Sequence, residues 1–172
     1  EHFFGGVVCV ERRISGTGKF SYEVVDGQQR LATFVLLGHV LIEKCLELAE
    51  AFEQSGDASS ADLLRRRAHR LREHFIEHED EQDRRPVTLR RLTLSNVDQV
   101  FFTQILDKTV AATDARDSHR RLRQAADLLD AAITSRLDGM TPAQRMDALR
   151  TFEEVLNDDC TLIQIQSNRT KE

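Results

Sequence analysis

The sequence predicts a helix-dominated α+β protein in which a β-hairpin leads into a long helix and a small sheet is followed by a helical bundle. Three observations carry that class. Residues 3–10 and 20–25 are short β-branched and aromatic runs around a glycine-bearing segment. From Leu31 onward apolar residues recur at steps of three and four. Later segments then repeat helical spacing between polar breaks.

The hairpin pairs Phe3, Phe4, Val7, Val8 and Val10 with residues 20–25, and Gly16 and Gly18 favour a turn between them. After Asp26-Gly27, the stripe Leu31, Phe34, Val35, Gly38, Leu41, Ile42, Cys45, Leu48, Ala49 and Phe52 gives one buried face of a helix over 28–54. Ser55-Gly56-Asp57 ends it. Ser59 or Ser60 caps a second helix, which places Leu64, Ala68, Leu71 and Phe75 on one side. Residues 80–85 read as a polar break and residues 86–94 as a strand whose alternation slips at Arg90-Arg91, as at a bulge. Ser95 and Asp98 resemble a capping box for a third helix built on Val97, Phe101, Phe102, Ile105 and Leu106. Leu122, Ala126, Leu129, Ile133 and Leu137 carry a fourth over about 115–137, stopped near Gly139. Thr141-Pro142-Ala143-Gln144 places Thr at N-cap, Pro at N1 and Gln at N3 of a fifth, which buries Met146, Leu149, Phe152 and Leu156. Residues 160–166 read as a last strand. The expected layout is a hairpin-and-helix segment over 1–54, a helical region over 55–158 with a short strand near 87–94, and the start of a strand segment over 159–172.

The chain has 172 residues, one domain's worth, with 24 Lys and Arg against 29 Asp and Glu. Its net charge of −5 argues against a generally sticky nucleic-acid binder while leaving room for a local basic surface. No apolar run approaches the roughly 18 residues of a membrane helix, and no leader resembles a signal peptide, so a cytoplasmic location is expected. Cys9, Cys45 and Cys160 are odd in number and far apart, which suggests neither a disulfide framework nor a zinc pair. All three read as small core residues. The chain opens without Met and closes directly after an apolar run, so it reads as an internal piece of a longer protein.

One constellation stands out. Asp26-Gly27-Gln28-Gln29-Arg30 lies where a strand hands over to the long helix. Gly27 suits a positive-φ turn, and the free N–H groups of the first helical turn attract an anion. Gln28 and Gln29 add neutral donors and acceptors, Arg30 adds a fork that matches phosphate oxygens, and Asp26 suits Mg²⁺ or a water. The plain structural reading makes Asp26 an N-cap and Arg30 a surface salt-bridge partner.

The run Tyr22-Glu23-Val24-Val25-Asp26-Gly27-Gln28-Gln29-Arg30-Leu31-Ala32-Thr33, after Phe4-Gly5-Gly6-Val7-Val8, resembles the core motif of the GmrSD-type restriction endonuclease N-terminal domain. Softer similarity continues in Arg91-Leu92-Thr93-Leu94, in Asp98-Gln99-Val100-Phe101-Phe102 and in Ser118-His119-Arg120-Arg121-Leu122. The resemblance implies a ParB/sulfiredoxin-like core that binds and hydrolyses a nucleoside triphosphate with Mg²⁺. It also implies an HNH-type nuclease domain, in cis or in trans, that this module licenses to cut modified foreign DNA. Asp26, Gly27, Gln28, Gln29 and Arg30 would line the phosphate site. By that analogy Arg30 meets the transferring phosphate, the glutamines meet phosphate oxygens or water, and Asp26 meets the metal. The family's Pro-x-Tyr-Gln-Arg-like opening segment and its later F-x-x-[IL]-N-x-[RK]-G segment are not in this chain, and Ala32 stands where Thr is commoner. The alternative is a non-enzymatic ParB-like module that binds DNA or protein and uses DGQQR only to hold its own structure.

Other signals carry less. Residues 15–19 fail the P-loop pattern, because Arg13 and Phe20 stand where Gly and Ser or Thr are needed. His74 and His78, one helical turn apart, lack a third zinc ligand. Arg65, Arg66, Arg67, Arg70 and Arg72 precede Glu73, Glu77, Glu79, Asp80, Glu81 and Asp83, so self-pairing is expected. Arg116, Arg120, Arg121 and Arg123, with His119, open the fourth helix, where cations are unfavourable unless an anion sits there. These four arginines are the candidate contacts to DNA or a partner domain.

Overall fold

The computed structural model describes residues 2–13, 20–82, 85–109 and 116–167. Strands β1 (His2–Arg13) and β2 (Phe20–Asp26) form the antiparallel hairpin, with a register shift between Val8 and Cys9. The turn expected at Gly16 and Gly18 falls within residues 14–19, which lie outside the described residues. Helix α1 (Gln28–Gln54) follows directly, then α2 (Ala58–Leu71), a π-helical turn (Arg72–Ile76), β3 (Glu77–Gln82) and β4 (Arg85–Arg90). The chain continues through α3 (Asn96–Leu106), α4 (Asp117–Leu137), α5 (Pro142–Glu154), a second π-helical turn (Val155–Asp159) and β5 (Cys160–Ser167). β5 pairs parallel to β1, giving a three-stranded sheet of order β2-β1-β5, while β3 and β4 form a separate antiparallel pair. The α+β class and the hairpin-to-helix handover are as the sequence predicts.

Helix α1 is the axis of the molecule. Beyond the expected stripe it also buries Ala32, Leu36, His39 and Val40, because α2, α4 and α5 pack around it on more than one side. One buried face was too narrow an expectation; the unbroken apolar run from Phe34 to Leu37 and from Val40 to Ile42 is the mark of a central helix. The core around it includes Leu64, Leu71, Ile76, Phe102, Ile133 and Leu149. Ion pairs brace the outer helices: Lys44 to Asp130 (2.8 Å) ties α1 to α4, and Arg67 to Glu153 (2.9 Å) ties α2 to α5. Cys45 is fully buried, and desolvation pushes its thiol up to about 12, so it stays protonated and unreactive at neutral pH.

Gly38 marks the closest approach to the first π-helical turn. A Cβ built there would lie 2.8 Å from Phe75 Cβ and 2.9 Å from its Cγ, atoms too near the backbone to swing aside. Gly38→Ala is expected to destabilise the fold by about 1–3 kcal/mol through overpacking, against a helix-propensity gain of at most about 1 kcal/mol. A denaturant midpoint shift checks it, and an unchanged or raised midpoint would show that Phe75 can yield.

Several boundaries differ from expectation for identifiable reasons. Asp57, not Ser59 or Ser60, caps α2: its carboxylate accepts from Ser60 N–H (3.0 Å) and Ser60 Oγ (2.7 Å). Where a break is expected, residues 80–82 and 85 are strand, paired between β3 and β4, and Glu77 meets Arg90 across that pair at 3.0 Å; residues 83 and 84 lie outside the described residues. His78 is therefore on a strand, not one helical turn from His74. β4 stops at Arg90, so the slip at Arg90-Arg91 is a strand end and not a bulge; Arg91 N–H turns back to Ile76 O at 2.8 Å. Ser95 holds the N-cap position of α3, but its hydroxyl donates to Asp98 Oδ2 (3.0 Å) instead of capping. The capping box of Thr141 and Gln144 is present in full.

Candidate functional site

The turn at Asp26–Arg30 owes its shape to glycine. Gly27 is the N-cap of α1 with φ +95°, and a Cβ there would meet Val7 Cγ2 at 3.1 Å and Gly6 O and Val7 Cα at 3.2 Å. Only a residue without a side chain lets the helix start lie flat against β1. Asp26 therefore ends β2 and is not the N-cap, which corrects the plain structural reading of it. No side chain caps α1, and no acid sits in its first turn. The N–H groups of Gln28, Gln29 and Arg30 precede the first intrahelical bond, from Leu31 N–H to Gly27 O (3.1 Å), and carry the positive end of the helix dipole.

Arg30 is not a surface salt-bridge partner either. Its Nη1 donates to Gly6 O at 2.8 Å, and its side chain lies over Gly5 so closely that a Cβ there would be 3.0 Å from Arg30 Nε. Gly5, at φ +101°, thus supplies the floor on which the guanidinium rests. The pairing of a glycine-bearing first strand with the later Arg joins two halves of one device across 24 positions of sequence. One donor of the fork is spent on the backbone, and Arg30 still lines the open recess formed by residues 25–30.

The two glutamines differ. Gln28 Nε2 donates to Val24 O (3.1 Å), which leaves its Oε1 as an acceptor. The Gln29 amide and the Asp26 carboxylate make no hydrogen bond or ion pair with any described residue, and both are exposed. Asp26 suits the common Mg²⁺ arrangement of one or two carboxylates completed by substrate phosphates. Among the described residues no cluster of three or more His, Cys, Asp or Glu forms a metal cage.

Beside this recess is a cavity of about 440 Å³ between α1 and α4. Gln28 and Gln29 line both spaces. Ala32, Leu36, Leu94, Leu122 and Ala125 give the cavity an apolar lining, and Thr33, Asp98, Asp117, Ser118 and Arg121 complete it. Its α3–α4 wall is pinned. Ser118 Oγ donates to Asp98 Oδ1 (2.6 Å), His119 stacks on Phe101 with ring centroids 4.4 Å apart, and Arg123 lies over the same ring at 5.2 Å. The hydrogen bond from Ser118 leads the effects that hold the Asp98 carboxyl below the usual range.

The four arginines of α4 go to different places. Arg120 pairs with Asp117, Arg121 lines the cavity, Arg123 covers Phe101, and Arg116 is the exposed N-cap residue. The cluster at 65–72 is self-paired as expected, although mostly with acids other than those just downstream: Arg65 with Glu53, Arg66 with Asp62, Arg67 and Arg70 with Glu153, and Arg72 with Glu77. The cavity was missed in the sequence because its walls come from segments far apart in the chain, and Leu122 read as one residue of the fourth helix's apolar stripe.

No helix of the described residues is long and apolar enough to cross a membrane. No curated protein matches the chain. The family model described as the N-terminal domain of the GmrSD restriction endonuclease matches residues 1–172, the whole chain, so the chain belongs to that family.

Proposed function

We propose that this chain is the nucleotide-binding and hydrolysing regulatory module of a modification-dependent DNA restriction protein, acting with an HNH-type nuclease. The observation that carries the reading is the state of the Asp26–Arg30 turn. An uncapped helix start, with a carboxylate and an amide that no described residue engages, surrounds a guanidinium already fixed in place. Such a site suits phosphoryl transfer, which rests on positioning and on stabilising charge rather than on covalent chemistry.

The residues divide the work by their remaining valences. The N–H groups of Gln28, Gln29 and Arg30 hold phosphate oxygens. Arg30, anchored through Gly6, meets the transferring phosphate with its remaining donors. With one amide N–H held by Val24 O, Gln28 offers its Oε1 and its remaining N–H to the attacking water or to a phosphate oxygen. Gln29 is able to do either. Asp26 would hold Mg²⁺, which when bound neutralises charge developing on the phosphates. Water oxygen bonds to the terminal phosphorus as the bridging P–O bond breaks; the nucleoside diphosphate leaves on its own oxygen, one water proton stays on the inorganic phosphate as its hydroxyl and the other passes to solvent.

Release of inorganic phosphate from a nucleoside triphosphate by the full-length protein tests this. Turnover that requires Mg²⁺ and is lost in Asp26→Asn is expected. A folded full-length protein that neither binds nor hydrolyses any of the four ribonucleoside triphosphates would leave the non-enzymatic module as the better account.

A further inference from the structure

We infer that the cavity between α1 and α4 is the subsite for the base and ribose of the nucleotide whose phosphates occupy the Asp26–Arg30 turn. The inference rests on the phosphate-site reading above and extends it to the rest of the ligand.

The cavity and the turn are contiguous, since Gln28 and Gln29 belong to both. A ligand with phosphates at the start of α1 therefore has its remaining atoms next to this opening. At about 440 Å³ the cavity falls within the ordinary size range of small-ligand sites, roughly 300–1,000 Å³. Ala32 and Leu36 of α1 face Leu122 and Ala125 of α4 across it, so it offers apolar surfaces to the two faces of a flat ring.

The polar groups show which end of the ligand enters. Asp98 and Asp117 both bring an acidic side chain to the lining. Asp98 accepts from Ser95 and Ser118, and Asp117 pairs with Arg120, so neither is seeking a cation. A triphosphate placed against them would meet two carboxylates, whereas an uncharged base meets none of that repulsion. The phosphates belong at the turn, where no acid lies in the first helical turn, and the base belongs inside.

With Gln29 engaged at the phosphates or the water, one lining group is left to read the base edge. Arg121 is exposed, forms no ion pair with any described residue, and stands at the cavity with donors only. Its planar guanidinium is able to stack on a ring or donate to ring nitrogen and carbonyl oxygen. This assigns Arg121 to nucleotide recognition rather than to a basic surface shared with Arg116 and Arg120.

Calorimetric titration of the full-length protein in Mg²⁺ tests the assignment, with the four ribonucleoside triphosphates compared against inorganic tripolyphosphate. At least one nucleoside triphosphate is expected to bind tenfold or more tightly than tripolyphosphate. Ala125→Phe, which fills the cavity, is expected to erase that preference while tripolyphosphate affinity stays within twofold. Arg121→Ala, at an exposed position where truncation costs little packing, is expected to reduce the preference at least threefold and serves if Ala125→Phe does not fold. Equal affinity for nucleotides and tripolyphosphate in the unaltered protein would overturn the base subsite and leave the phosphate site standing. Failure of every ligand to bind would overturn both. Full preference retained in a folded Ala125→Phe or in Arg121→Ala would place the base elsewhere. If Ala125→Phe instead weakened only binding of modified duplex DNA, the cavity would be a reader of an extruded base and the assignment would fall.

Discussion

Arg30→Ala in the full-length protein is expected to lower nucleotide hydrolysis by about 100-fold or more while the protein remains folded. Two separable losses contribute. The first is charge: among the described residues no other guanidinium lines the Asp26–Arg30 recess, so on the proposed reading a phosphate bound there would lose its side-chain cation. The second is the anchor from Arg30 Nη1 to Gly6 O, a charge-assisted bond whose removal costs about 1–3 kcal/mol in stability. Arg30→Lys separates the two. A lysine keeps the charge but lacks the fork that holds Gly6 and the phosphate together, so it is expected to recover less than a tenth of the lost rate. If DGQQR is purely structural, melting temperature falls and hydrolysis per folded molecule does not change. If the site is catalytic, kcat collapses at temperatures where circular dichroism shows a native fold.

The order and type of the helices were legible because each carries its own periodicity and, for α5, its own cap. The turn was legible because its chemistry is contiguous: five neighbouring residues hold the glycine, the amides and both charges. What was not legible was how that turn is held. Nothing local to Arg30 says that it reaches back to Gly6, or that Gly5 is a glycine for the sake of a side chain much later in the chain. The strand β3 was hidden for a different reason. The sequence Glu-His-Glu-Asp-Glu-Gln has no apolar alternation, and its partner β4 and the ion pair from Glu77 to Arg90 supply what hydrophobicity does not. Likewise, the basic cluster opening α4 looked like one surface because sequence spacing does not show that Arg121 and Arg123 end on different neighbours.

Gly27→Ala is expected to lose more stability than Arg30→Ala and to lose activity with it. A left-handed φ costs an alanine about 1–2 kcal/mol. Its Cβ would also press on Gly6 O, Val7 Cα and Val7 Cγ2, of which the first two are backbone and cannot rotate away. Relief requires α1 to move off β1 by a few tenths of an ångström, and overpacking of that kind adds about 1–3 kcal/mol. The total of about 2–5 kcal/mol corresponds to a melting temperature lower by roughly 5–15 °C in a chain of this length. The same movement separates Gly6 O from Arg30, because the carbonyl that the added methyl group would displace is the acceptor that fixes the guanidinium. Hydrolysis per folded molecule is therefore expected to fall at least tenfold although no phosphate-binding side chain has changed. Gly27→Asn apportions the effect. Asparagine tolerates positive φ but carries the same Cβ, so if close approach dominates it is expected to be no better than alanine. Recovery of most of the stability in Gly27→Asn would instead assign the cost to backbone conformation, and the contact with β1 would then be a loose one.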